Sequence, residues 1–118
     1  MNNTDKIAEA LKILEMIEGL DPEDKADCIE TEYAVNRLSD NPYSPPLKVC
    51  RSIDSQKPLE REGWCLNVNS TGQISGKGFL ARAYYGVHHA LRTPNLPTEP
   101  LARLHAWIQV WIYEWENG

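Results

Sequence analysis

Apolar residues recur at helical spacing from the start of the chain. Ile7, Ala10, Leu11, Leu14 and Ile17 share one broad face and predict a helix over 4–18. Asn3 or Thr4 can cap its start. Gly19 is expected to stop it in the left-handed conformation, with Leu20 folding back on Leu14. A second helix is expected at once, with Asp21 as N-cap, Pro22 in the first turn, and Glu23 and Asp24 at the positive end of the dipole. Ala26, Ile29, Tyr33, Ala34 and Leu38 supply its apolar side, and it ends near Ser39. Two helices joined this tightly predict an antiparallel hairpin.

The pattern then changes. Pro42, Pro45 and Pro46 mark a stiff connection. Leu47, Val49 and Ile53 predict a strand over 47–53, followed by a polar loop over 55–63. From Trp64 to Val68 the alternation is clear, with Trp64, Leu66 and Val68 on one face and Cys65 and Asn67 on the other. The run Asn69-Ser70-Thr71-Gly72 is a turn signal, and 73–75 can pair back as a short third strand. The stretch 79–92 fits two periods. Phe79, Ala81, Ala83, Tyr85 and Val87 alternate, whereas Leu80, Ala83, Tyr84, Val87 and Leu91 repeat as in a helix. Its length and the run to Pro94 favour a helix. After Pro97 and Pro100, a helix capped by Thr98 carries the stripe Leu101, Leu104, Ile108, Trp111, Ile112 and Trp115. Trp107 and Val110 widen that stripe, which makes the helix either central or a contact surface.

These elements predict an α+β fold. It comprises an N-terminal antiparallel helical hairpin, a small antiparallel sheet of two or three strands, and one or two C-terminal helices. The 118 residues suffice for one domain with one core. Within it, 1–40 form the acidic hairpin, 47–75 the sheet and 79–118 the C-terminal helical part.

Charge divides along the same lines. Residues 1–40 carry eleven acidic and four basic side chains, net −7, and 41–95 carry three acidic and seven basic, net +4. A polarised surface is the expectation. Glu9, Glu15, Glu18, Glu23, Asp24, Asp27, Glu30 and Glu32 populate the hairpin, either as a solvated face or as an acidic docking surface. The basic middle has Lys48, Arg51, Lys57, Arg61, Lys77, Arg82 and Arg92, with Trp64, Tyr84 and Tyr85 near them. Such interleaving on a sheet can bind single-stranded nucleic acid, although no RNA-recognition signature is present.

Motifs for chemistry are weak. His88 and His89 point about 100° apart on a helix and cannot share one metal there, which leaves His105 or a cysteine as remote partners. Cys50 and Cys65 fall on candidate neighbouring strands, as cross-strand neighbours, as a disulfide under oxidation, or as two small buried residues. A nucleophilic site would need Cys50 or Cys65 beside His88, His89 or His105, and nothing local supports one. The run from Gly72 to Gly78 lacks the phosphate-loop order, because Lys77 is followed by Gly78 rather than Ser or Thr. No cofactor, metal or catalytic residue is assigned.

The expected function is therefore non-catalytic: a protein-binding module that masks a partner with a basic surface, of the inhibitor or immunity type. In composition alone the chain is similar to small phage-encoded inhibitors of host defence and to bacterial immunity proteins. Glu23, Asp27 and Glu30 are the candidate docking charges. Trp64, Tyr85 and Trp107 are candidate aromatic anchors that serve equally well as core. The alternatives are a nucleic-acid accessory protein acting through the basic middle, and a small Cys/His enzyme. No stretch approaches a membrane span and no leader is apparent, so a cytoplasmic protein with reduced thiols is expected. A monomer and a homodimer paired through the Trp-rich helix are both compatible with the pattern.

Overall fold

The computed structural model describes residues 2–39, 42–70, 78–86 and 89–117, with the backbone alone at His89. Three helices, α1 (Asn3–Glu18), α2 (Lys25–Leu38) and α3 (Glu99–Asn117), accompany a sheet of β1 (Trp64–Ser70), β2 (Phe79–Tyr85) and β3 (His89–Arg92). The sheet is antiparallel throughout, in the order β1-β2-β3. The architecture is α+β, as the periodicity predicts.

The helix at the centre is α3. It packs against α1 on one side and against all three strands on the other. Leu101, Leu104, Ile108, Val110, Trp111 and Ile112 are all buried, so its wide apolar surface is covered within the chain. Thr98 caps it, its hydroxyl accepting from the Leu101 amide at 3.3 Å. Asn3 reaches the Trp115 carbonyl, and Glu18 reaches His105, so α1 and α3 run antiparallel.

Several expectations are corrected. The cap of α1 is Asn2, one residue ahead of the expected pair, and accepts from the Asp5 amide. Gly19 has φ of −99° and is not left-handed. The cap of α2 is Asp24, which accepts from the amides of Ala26 and Asp27. Asp21 instead closes a preceding turn by accepting from the Glu23 amide.

The strand expected over 47–53 is absent. Val49 and Cys50 are both buried at consecutive positions, which a two-residue period forbids, and the chain turns there instead. The polar run beyond is a 3₁₀ helix, Asp54–Leu59. It is pinned to the core where Trp111 Nε1 donates to the Leu59 carbonyl at 2.9 Å, and where Gln56 Nε2 donates to the carbonyls of Val49 and Pro100.

The helix favoured over 79–92 is instead β2 and β3. Gly86, at φ of +62°, breaks the run and turns the chain. Ala81 and Ala83 meet α3 closely, while their neighbours face outward. The alternating period therefore wins over the helical one, because β1 supplies a partner ladder. The pairing expected at 73–75 and most of the run from Gly72 to Gly78 lie outside the described residues.

A hydrogen-bond network centred on buried His105 ties α3 to α1 and to the end of β3. Gln109 Nε2 donates to the Arg92 carbonyl and to His105 Nδ1, leaving His105 Nε2–H to donate to Glu18 at 3.2 Å. Burial lowers the His105 pKa, and Glu18 opposes that shift. A proton on Nδ1 would break the Gln109 bond. Since the folded pKa lies below the unfolded value of about 6.5, the unfolded chain takes the proton first as pH falls. Stability contributed by this site is thus intact above about pH 7.5 and declines below about pH 6.5. Urea midpoints at the two pH values should show this loss, and His105→Gln should reduce it.

Candidate functional site

The eight hairpin carboxylates do not behave alike. Glu32 is buried, where its two oxygens take a bidentate pair from Arg51 at 2.7 and 3.1 Å and one oxygen also accepts from the Cys50 amide. It belongs to the interior rather than to a solvated face. Glu9 pairs with Lys12, Glu18 meets His105, and Asp24 caps α2. Among the described residues Glu15, Glu23, Asp27 and Glu30 make no ion pair.

Three of those meet where α1 packs against α2. Glu15, Asp27 and Glu30 line one cleft of about 230 Å³, whose wall also includes Met16, Leu20 and Thr31. Asp27 and Glu30 enter it because they lie three residues apart on α2, and Glu15 because the last turn of α1 packs there. Glu23 stands exposed in the turn just ahead of α2. The cleft thus sets three carboxylates beside Met16 and Leu20. That suits a long cationic side chain, whose methylenes bury while its head meets charge.

Beside the cleft α2 leaves apolar surface uncovered. Cys28, Thr31, Val35 and Leu38 face the core, while Ile29 and Tyr33 face solvent, 37% and 51% exposed. On the other flank of α2 is a second cleft, of about 270 Å³. It is bounded by Asn36, Tyr43, Leu47 and Arg61, and Trp111 also lines it. The Asn36 side chain holds Tyr43 there by accepting from its amide and donating to its carbonyl. Arg61 lies over the Trp111 ring at 5.0 Å and pairs with Glu114.

The proposed anchors separate. Trp64 and Trp107 are buried, 7% and 5% exposed, and build the core. Tyr85 is half exposed, its ring 5.3 Å from Trp64, at the rim of the sheet far from the acidic face in sequence. The exposed aromatic on the acidic helix is Tyr33, which sequence reasoning assigned to the apolar side of α2. Tyr33 follows Ile29 by four residues on one exposed stripe, while the buried Cys28, Thr31 and Val35 form their own.

The groups weighed for chemistry remain dispersed. Cys50 is buried in the turn that receives Glu32, whereas Cys65 is exposed on β1, so they are not cross-strand neighbours. All three thiols are free. Burial raises the Cys50 thiol well above its ordinary value and the Cys28 thiol above it, with the Glu32 carboxylate adding to both. His105 is enclosed in its network, His88 lies outside the described residues, and nothing is described of the His89 side chain. Among the described residues no three His, Cys, Asp or Glu side chains gather as a metal site, and no helix is long and apolar enough to cross a membrane. No family model matches the chain, and neither a curated protein nor a solved structure matches it.

Proposed function

We propose that the chain is a non-catalytic protein-binding module whose contact surface is the outward face of α2, and that its partner presents a basic surface. The observation that carries this reading is the set of unpaired carboxylates Glu15, Glu23, Asp27 and Glu30 beside exposed Ile29 and Tyr33. Charge at the rim steers and orients the partner, and the apolar pair supplies the desolvated centre. The cleft between α1 and α2 takes a lysine or arginine of that partner. Masking of a basic surface, as an inhibitor does, is the mode of action this chemistry favours.

The test compares the wild-type chain with Glu23→Lys/Asp27→Lys/Glu30→Lys in capture from nuclease-treated lysate, read by quantitative mass spectrometry. The three positions are at the surface or its edge, so the variant should keep its far-ultraviolet circular dichroism. A basic protein recovered in near-equal amount by the wild type and lost by the variant is the expected result. Equal recovery by both would remove the acidic face from the account.

A further inference from the structure

The sheet covers α3 with one face and leaves the other open. On that open face β1 places Cys65, Asn67 and Asn69, all exposed, and β2 places Leu80, Arg82 and Tyr84. The register sets Arg82 directly opposite Arg92 of β3, with Asn67 on its other side. Like charges directly opposite across a ladder destabilise it. Neither guanidinium meets a carboxylate among the described residues. Arg82 turns to Tyr84 instead, donating to its hydroxyl at 3.2 Å with the guanidinium 5.9 Å from the ring. From Trp64 to Thr98 the chain has no Asp or Glu at all, although its net charge is −5. The acid-free stretch includes the whole sheet.

From this we infer that the open face of the sheet binds single-stranded nucleic acid, with a backbone phosphate held between Arg82 and Arg92 and a base stacked on Tyr84. Directly opposed residues stand about 5 Å apart, a separation two guanidiniums can span to share one phosphate. A bound phosphate turns the repulsion between them into attraction. The phenol ring beside them gives a base a π face, and the Asn67 and Asn69 amides offer donors and acceptors to its edge. An acidic peptide would satisfy the arginines but would leave the ring and amides unused. This inference is independent of the reading of α2, which lies on other elements.

The experiment is fluorescence anisotropy with a labelled single-stranded oligonucleotide of about ten nucleotides, against an unlabelled poly-glutamate competitor of equal length. The full chain should bind with Kd of about 1–100 μM at low salt. Neutralising the one shared phosphate should weaken binding about 2.6-fold between about 50 and about 200 mM salt, from a slope of about −0.7 per phosphate on single strands. Arg92→Gln, at an exposed position, should weaken binding severalfold at low salt. Tyr84→Ala should weaken binding with the slope unchanged. Glu23→Lys/Asp27→Lys/Glu30→Lys should leave the Tyr84 dependence intact. Absence of saturable binding at about 1 mM protein would overturn the inference. So would displacement by poly-glutamate as efficient as by the oligonucleotide, or binding indifferent to both Arg92→Gln and Tyr84→Ala.

Discussion

Replacing Trp111 by alanine is expected to lower stability by about 3–5 kcal/mol, the largest loss of any single substitution considered for this chain. The indole is 1% exposed and lies in the helix against which α1 and all three strands pack. Its removal opens a cavity next to Val35 and Leu59 and deletes the bond to the Leu59 carbonyl. Arg61 loses the ring it lies over, and Trp115 loses a ring neighbour at 5.9 Å. A protein of this size has about 5–15 kcal/mol in total, so the variant should unfold near physiological temperature. A melting temperature about 12–20 °C lower checks it, at about 4 °C per kcal/mol. Trp111→Phe should keep most of the packing and lose mainly the hydrogen bond, about 1–2 kcal/mol.

The second large effect is at Arg51. Arg51→Met leaves the Glu32 carboxylate buried with only the Cys50 amide as a donor. Removing one partner of a buried pair costs about 3–5 kcal/mol, and the lower end applies because the Arg51 side chain is partly exposed. Glu32→Leu/Arg51→Met should be more stable than Arg51→Met alone, because no charge is then stranded. Urea midpoints of the two single variants and the double variant form the cycle. A double variant less stable than Arg51→Met would show that the pair organises the 47–51 turn beyond its charge.

The same pair explains where sequence reading stopped. Glu32 looked like one more carboxylate in an acidic run, since its partner lies nineteen positions away and nothing local announces it. Helices α1 and α3 and strand β1 were legible because their periods run long enough to exclude the alternative. The stretch 79–92 was not, because Leu80, Ala83, Tyr84, Val87 and Leu91 satisfy a helical period as well as the strand period is satisfied. Gly86 was the local clue, costing about 1 kcal/mol in a helix and nothing in a turn at φ of +62°. Over 47–53 the alternation was accidental. Ile53 is 40% exposed, while Val49 and Cys50 are both inside. Of the candidate site, Glu23, Asp27 and Glu30 were read from charge alone. The parts contributed by Glu15 and Tyr33 follow only once the packing of α1 on α2 and the exposed stripe are known.

The carboxylates at the α1–α2 junction are open to direct chemical mapping. Carboxylate footprinting with a carbodiimide and glycine ethyl ester, on the protein free and with its captured partner, reads each side chain separately. Labelling of Glu15, Glu23, Asp27 and Glu30 is expected to fall in the complex while that of the exposed Glu62 and Glu116 is unchanged. Undiminished labelling at those four positions, with protection at Glu62 or Glu116 instead, would contradict the proposed contact surface.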